Sequence, residues 1–370
     1  MDFAWSAEHV ELRERARQFA ADAVVRHGRF NDSWISGYVP ELSRELGRMG
    51  WIGMGWPPEH GGGGDPLERL VVAEELIAAG APIGASWFAD RQIGPALIAF
   101  GTDDQQRRYL PAIKSGSSTW CLGMSEPDAG SDLASLRTRA VREGNDYVVS
   151  GRKVWTSFAA HADFCYLIAR TSSEAQPHLG ISEVIVPMDA PGVSVTPIRD
   201  LVGGEHFNEV TFDEVRVPAA NLVGKEGDAF AQTMRQLEHE RGGIDRLVSN
   251  RALFDIARER VDRSSPVFRD ELARLEAGYR IGRLLVIREV LGQAPRGFSA
   301  ATKCFCTEHE QRVAEFVSRV LGAEGMLWTQ IVRGLVYAPG YTIMGGTSNI
   351  LRNILGERLL GLPREPRATR

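Results

Sequence analysis

Residues 121–132 read CLGMSEPDAGSD, and this stretch marks the point where the character of the chain changes. Before it, apolar residues recur every three or four positions, as they do on one face of an amphipathic helix. After it come short runs rich in β-branched and aromatic residues, such as 164–169 and 184–186, separated by turn residues. The sequence therefore predicts helices before this stretch and a β-rich region that begins with it.

Two linkers rich in small and charged residues bound the β-rich region: KSGSST at 114–119 and GKEGD at 224–228. Beyond the second linker a helical pattern returns. One apolar stripe there comprises Val313, Phe316, Val317, Val320 and Leu321. From this order we predict an α+β fold with an N-terminal α-helical domain at residues 1–118, a middle β-barrel domain at 119–223 and a C-terminal four-helix bundle domain at 224–370.

The bulk properties exclude several classes of protein. With a net charge of −5, the chain of 370 residues has no basic excess that would attract nucleic acid or an anionic membrane. No apolar run reaches the roughly 18 residues of a bilayer span, and residues 1–18 lack the apolar core of a signal peptide. The four cysteines are scattered, so we expect reduced thiols, no metal site and a cytoplasmic location.

Four motifs resemble those of acyl-CoA dehydrogenases and follow one another in that family's order. They are SEPDAGSD at 125–132, KVWTS at 153–157, FDEVRVP at 212–218 and GTSNILR at 346–352. The resemblance runs from end to end of the chain and implies the family's fold, FAD as cofactor and an acyl-CoA substrate. A flavin needs a flat slot, hydrogen-bond partners for its ring edge and an apolar wall, and these motifs supply fitting residue types.

The resemblance also assigns roles to individual residues. Met124 and Ser125 are expected on the pyrimidine side of the flavin, Trp155 against the ring, and the Ser157 hydroxyl near N5, the hydride acceptor. The full set of expected cofactor residues is Leu122, Met124, Ser125, Gly130, Ser131, Trp155, Ser157, Thr347 and Asn349. Ser131 is further expected along the pantetheine arm of CoA, and Glu238, Arg241 and Gly346 are expected at the substrate.

The position of the general base is where the sequence departs from most of the family. The reaction needs a carboxylate within hydrogen-bond reach of the Cα proton. In most members that base is a Glu directly before a Gly-Thr pair, but this chain has Gly345 there. Other members carry the base directly before an Arg on the first helix of the C-terminal bundle, and Glu240 matches that place. Glu238 and His239 remain alternatives.

Gly345 keeps a catalytic role in this prediction, since its backbone N–H survives. In relatives that N–H binds the thioester oxygen, and a donor of this kind is worth roughly 10²–10³ in rate. The missing side chain also widens the pocket, which suggests a bulky or branched acyl group. By contrast, His309 is predicted to lie on a solvated helix surface.

The part of the FAD site that relatives donate to a neighbouring subunit looks altered. Homotetrameric relatives use an Arg-x-x-Phe segment to reach the neighbour's pyrophosphate, and the equivalent position is Pro266. We therefore expect an oligomer, with an α2β2 assembly containing a paralogous subunit as one form. If Arg263 or Arg319 serves instead, a homo-oligomer suffices.

Three functions remain open at this point. The first is an FAD-dependent acyl-CoA dehydrogenase that passes electrons to an electron-transfer flavoprotein or similar acceptor. The second is a non-catalytic or half-site subunit of a heteromeric dehydrogenase, which the glycine at 345 favours and Glu240 opposes. The third is a related flavoenzyme that acts on a carrier-bound thioester or on a nitroalkane-type substrate.

Overall fold

The computed structural model describes residues 5–63, 65–174, 176–233, 243–327 and 329–364. Its contacts divide the chain into two compact units. The helical unit comprises Met1–Ser33, Gly64–Pro82 and Leu237–Arg370, and the β unit comprises Trp34–Gly63 and Ile83–Gln236. The predicted order along the chain, helices followed by strands and then by helices again, is confirmed. The exact domain boundaries stay a prediction.

The β unit is built on one eight-stranded sheet. Its strands are β1 (Trp120–Gly123), β2 (Arg139–Glu143), β3 (Asp146–Ser157), β4 (Phe164–Arg170), β5 (Ile181–Pro187), β6 (Val193–Ile198), β7 (Phe207–Pro218) and β8 (Leu222–Val223). The order is β6-β7-β3-β2-β4-β5-β8, with β1 paired to β4. Pairing is antiparallel except that β1 and one residue of β2 lie parallel to β4. The long β3–β7 ladder carries KVWTS at its end.

Helices that accompany the sheet in this unit include α2 (Pro40–Arg48), α4 (Gly84–Phe88), α5 (Gly94–Phe100) and α6 (Asp103–Lys114). The core of the sheet follows the predicted alternation, because Val210, Phe212, Val215 and Val217 all point inward on β7. Thr102 caps α6 with a capping box that Gln105 completes.

The helical unit contains α1 (Ala7–His27), α3 (Pro66–Ala79), α7 (Asp245–Val248), α8 (Arg251–Arg260), α9 (Pro266–Val290), α10 (Ser299–Leu321), α11 (Gln330–Tyr337) and α12 (Ser348–Ile354). Helix α10 is central, because it packs against α7, α8, α9, α11 and α12. The predicted stripe lies on its inner face: Val313 and Phe316 are fully buried. Helices α1 and α3 pack against each other in this unit, although they precede the β-rich region in the chain.

A buried polar cluster lies where α8 begins, and we call it the Asn250 cluster: Asp32, Asn250, Tyr279, Glu310 and Tyr341. Its members are at most 5% exposed. The Glu310 carboxylate accepts the Asn250 backbone N–H at 2.5 Å and the Tyr279 hydroxyl at 3.3 Å. The Tyr341 hydroxyl donates to Asn250 Oδ1 at 3.3 Å and also bonds Asp32. Because buried polar groups are costly unless paired, this cluster fixes the segment around Asn250.

One sequence-based expectation is wrong in this unit. His309 is 1% exposed, not solvated, and its ring packs edge-on to Tyr279 at 4.4 Å. Burial lowers its pKa to about 4, with the charges of Arg312 and Arg251 acting in the same direction. The Glu-His-Glu triplet is typical of an exposed helix face, but the charges that flank His309 do not reveal that α10 is buried on several faces.

Among the described residues, no helix is long and apolar enough to cross a bilayer.

Candidate functional site

The segment that begins SEPDAGSD and the KVWTS motif are hydrogen-bonded to each other in the β unit. The Lys153 ammonium donates to the Met124 carbonyl at 3.0 Å, and the Val154 N–H donates to the Ser125 carbonyl at 2.9 Å. Lys153 is fully buried, so these contacts are shielded from water. Segments that are 29 residues apart in sequence are thus held side by side, and the residues expected at the flavin lie on both of them.

Glu126 is the second anchor of this arrangement. Its carboxylate accepts the Arg137 and Thr138 backbone N–H groups at 2.6 and 2.9 Å and the Lys153 ammonium at 2.9 Å. Burial acts to raise the pKa of Glu126, but the Lys153 charge and these hydrogen bonds outweigh it, and the pKa is lowered. Both residues lie within the quoted motifs, but the sequence alone predicts no role for them. Their role is to hold the Met124–Ser125 segment against β3.

Trp155 has a backbone conformation that tryptophan rarely adopts. Its φ is +60°, in the left-handed region, and the β3–β7 register is irregular between Lys153 and Thr156. Its side chain is 57% exposed and meets Phe207 edge-on at 5.8 Å. Strain of this kind is kept where the surroundings enforce it, often at functional sites. A large aromatic face is therefore presented outward from the strand, as a flat ring ligand requires.

The Ser157 hydroxyl lies just beyond Trp155. The residue is only 8% exposed, yet its side chain has no hydrogen-bond partner among the residues that the structure describes. The hydroxyl oxygen is not among the buried side-chain atoms that lack a partner, so it still reaches solvent and a ligand atom can bind it. Together with the outward face of Trp155, this fits the edge of an isoalloxazine ring.

The other predicted residues of the β unit lie near the same segments. Leu122 is on β1, paired with Tyr166 of β4, and Met124 and Ser125 are half-buried just after that strand. Gly130 and Ser131 are exposed in the following loop. A Cβ built on Gly130 meets no protein atom within 4 Å, so the chain's own packing does not require glycine there. Their roles toward FAD and CoA stay predictions.

The C-terminal motif forms a tight turn in the helical unit. Gly345 and Gly346 have φ of +64° and +92°, which favours glycine over residues with a Cβ. Thr347 then caps α12, its hydroxyl accepting the Ile350 N–H at 3.2 Å, and leaves its own proton free to donate. Asn349 is exposed on the first turn of α12. The turn thus presents backbone N–H groups and small side chains, with no carboxylate.

Helix α10 holds this turn in place. The Lys303 ammonium donates to the Gly346 carbonyl at 2.5 Å, and the Cys304 thiol contacts the Ser348 carbonyl at 3.7 Å. Glu308 pairs with Arg352, and Leu351 packs on Cys304 and Ala300. Sequence reasoning missed Lys303, because no motif signals a contact between residues 43 positions apart.

Three predicted site residues, Glu238, Glu240 and Arg241, lie outside the described residues, as does His239. The two arginines considered for the pyrophosphate have other partners: Arg319 pairs with Glu271, and Arg263 donates to the Arg258 carbonyl. Pro266 occupies the first position of α9, which Ser265 caps.

No group of three or more metal-ligating side chains occurs in the described part of the chain. The four cysteines are free thiols, and all are buried.

Comparison with known proteins gives consistent results along the chain. Three family descriptions match: "Acyl-CoA dehydrogenase, N-terminal domain" at residues 6–117, "middle domain" at 121–215 and "C-terminal domain" at 227–360. A relative from Mycobacterium tuberculosis, "Acyl-CoA dehydrogenase IpdE1", is 38% identical over 339 residues, which cover 87% of this chain and 88% of that protein.

Two solved structures are similar over 99% of this chain and 100% of theirs, each at 33% identity. One is the "Tcur3481-Tcur3483 steroid ACAD", with a TM-score of 0.89. The other is the "ChsE4-ChsE5 complex from Mycobacterium tuberculosis", with a TM-score of 0.86. Members of the matched family use FAD, in line with the fit of Trp155 and Ser157. The chain therefore belongs to the acyl-CoA dehydrogenase family, and it is an enzyme of that family with acyl-CoA dehydrogenase activity.

Proposed function

We propose that this chain carries out α,β-dehydrogenation of a bulky acyl-CoA thioester, with Glu240 as the base that removes the Cα proton. FAD, when bound, supplies the acceptor for the hydride that leaves Cβ. Met124, Ser125, Trp155 and Ser157 hold its ring, with Leu122, Gly130, Ser131, Thr347 and Asn349 as further contacts. The observation that carries the proposal is the outward Trp155 face next to the Ser157 hydroxyl, which no group in the described part of the chain binds.

The Gly345–Gly346 turn binds the thioester oxygen in this proposal. As the Cα proton leaves, negative charge develops on that oxygen, and a fixed N–H donor stabilises it. The Gly345 N–H is suited to this role, because the turn is held through Gly346 by a buried lysine. Gly346, Glu238, Arg241 and Ser131 complete the substrate contacts.

Glu240 is proposed as the base because the alternative position has no side chain. Gly345 cannot accept a proton. The Glu240→Gln variant should bind FAD normally but lose about 10²–10⁴-fold in the rate of flavin reduction by substrate, measured under anaerobic stopped-flow conditions. Glu259→Gln, which changes an exposed glutamate on α8, is the matched control. Near-normal reduction by Glu240→Gln would reject the assignment, and Glu238→Gln would then be the next variant to test.

The bulky acyl group is proposed on two grounds. Removing the side chain at 345 leaves more room at the thioester, and the name of one structural neighbour specifies a steroid dehydrogenase. A panel of CoA thioesters, from short straight chains to ring systems, tests this through bleaching of the flavin absorbance. Equal or faster reduction by short straight chains would contradict it. A thioester on a carrier protein in place of CoA tests the carrier-bound alternative.

A heteromeric assembly is the proposed quaternary form. Proline stands at 266, where relatives have the arginine that reaches a neighbour's pyrophosphate, and Arg319, one of the alternatives, pairs with Glu271. One structural neighbour is itself a complex of two named chains. Mass measurement and flavin content of the chain expressed alone test this proposal: a homotetramer with one FAD per chain would refute it. The same data test the half-site alternative, since a half-site subunit alone would hold no reducible flavin.

An electron-transfer flavoprotein, or an acceptor like it, is the proposed partner for reoxidation. Rapid reoxidation by O₂ in the absence of such a partner would argue for an oxidase instead.

A further inference from the structure

Lysine is scarce in this chain, and its distribution is unusual. Only four of the 43 cationic side chains are lysines: Lys114, Lys153, Lys225 and Lys303. Two of these four, Lys153 and Lys303, are 0% exposed. Lysine is rarely buried, because taking an ammonium group out of water is expensive. Almost all cationic side chains of this chain are arginines, yet half of its lysines lie where the desolvation cost of a charge is greatest.

Lys153 acts on the Met124–Ser125 segment. Its ammonium donates to the Met124 carbonyl, and no cis peptide bond occurs in the described residues. In a trans peptide the N–H of the next residue points away from the carbonyl. The Ser125 N–H is therefore directed away from Lys153, and within the described ranges it has no hydrogen-bond partner.

Lys303 repeats this arrangement on the Gly345–Gly346 turn. Its ammonium donates to the Gly346 carbonyl, so the Thr347 N–H points the opposite way. That N–H also lacks a partner in the part of the chain that the structure describes. In both cases a buried lysine binds the carbonyl oxygen of a peptide group. The N–H of the same peptide group points the other way and is available to a ligand.

The choice of lysine has a physical reason. An ammonium group is a compact point charge, whereas the guanidinium group of arginine is a wide planar fork that needs more room. A cation on the carbonyl oxygen also polarises the peptide, which strengthens the N–H as a donor. Such a contact both aims the N–H and increases its attraction for an electronegative ligand atom.

We propose that Lys153 and Lys303 are positioning residues that aim the Ser125 and Thr347 N–H groups at the bound cofactor. This inference rests on the proposed placement of FAD against Ser125 and Thr347. It adds two residues that do not touch the cofactor but set the direction of two donors that do.

The test is the affinity for FAD of the apoprotein in its assembled form, together with the partner subunit if it has one, measured by quenching of flavin fluorescence. Lys303→Met should weaken binding about tenfold, the effect of one misdirected hydrogen bond. For Lys153 the test variant is the double change Lys153→Met with Glu126→Gln, because either single change would leave a buried charge without its partner. This double variant should bind FAD about tenfold more weakly than wild type.

Lys114→Met is the matched control. Lys114 also donates to main-chain carbonyls, those of His60 and Gly61, but neither residue is assigned to the cofactor. This variant can lose thermal stability, yet it should bind FAD with unchanged affinity. The exposed Lys225→Met should change neither quantity. Lysine variants whose FAD affinity matches that of Lys114→Met would overturn the inference.

The flavin midpoint potential supplies a second readout, which a purely structural role would not shift in a fixed direction. Loss of the Lys303 charge in Lys303→Met should lower the potential relative to wild type, because reduction adds negative charge to the flavin. An unchanged potential together with unchanged affinity overturns the inference. Failure of the proposed function is distinguishable, since wild-type protein would then bind FAD without being reduced by any thioester.

Discussion

Replacing Asp32 by asparagine should make the protein more stable at neutral pH. Asp32 is 3% exposed in the Asn250 cluster. Burial raises its pKa from 3.8 to about 7, although bonds from Tyr341 and Ser249 and the charge of Arg246 act to lower it. The folded protein therefore binds a proton at Asp32 that the unfolded chain releases near pH 4.

The sign and size of the effect follow from this difference. Between about pH 4 and pH 7 the folded state holds more protons than the unfolded state, so the free energy of unfolding falls as pH rises. A rise in pKa from 3.8 to about 7 corresponds to ~4 kcal/mol lost across this window. Asparagine has similar shape and no charge, so the Asp32→Asn variant escapes this loss.

Urea unfolding of wild type and Asp32→Asn at several values between pH 4.5 and pH 8 measures the effect. The two proteins should be close in stability at pH 4.5, and the variant should be more stable by up to ~4 kcal/mol at pH 8. Asp22→Asn, at an exposed position on α1, controls for net charge. A difference between Asp32→Asn and wild type that stays constant with pH would refute the reasoning.

Three further outcomes are expected. His309→Gln should reduce acid sensitivity: its folded pKa of about 4 means that wild type loses ~3 kcal/mol as pH falls from 6.5 to 4, which unfolding midpoints will detect. Gly123→Ala should cost about 1–3 kcal/mol in thermal unfolding, because its Cβ would lie 2.8 Å from the Cys165 sulfur and 2.9 Å from a Leu167 methyl group. Trp155→Gly should not destabilise the apoprotein, since it relieves a left-handed backbone and removes a side chain that is 57% exposed, but it should weaken FAD binding in the same titration.

Most of the secondary structure could be predicted from the sequence, because the periodicity of apolar residues is a local property. The stripe through Val313 and Phe316 and the alternation at Val210 and Phe212 each report a buried face, and the structure has both. Periodicity does not say which element covers that face. The predicted N-terminal helical domain is an example: α1 and α3 pack in the helical unit, whereas α2 and α4–α6 belong to the β unit.

The candidate site likewise has residues that could be predicted from local motifs and contacts that could not. Motifs pointed to Ser125, Trp155 and Ser157, because short signatures keep their spacing. They could not reveal that Lys153 reaches back to the Met124 carbonyl, that Trp155 has a left-handed backbone, or that Lys303 holds the Gly346 turn. Each of these depends on tertiary packing between distant segments, and no local pattern in the sequence encodes it.

The scarcity of lysine has a chemical consequence for a protein that handles thioesters. A thioester can transfer its acyl group to an unprotonated amine, whereas the guanidinium of arginine stays protonated and does not accept it at neutral pH. Two of the four lysines are sealed from solvent and Lys114 is half-buried, which leaves Lys225 as the exposed one. The surface is therefore poorly suited to self-acylation by its own substrates, and any adduct that forms on a lysine side chain should be found first at Lys225.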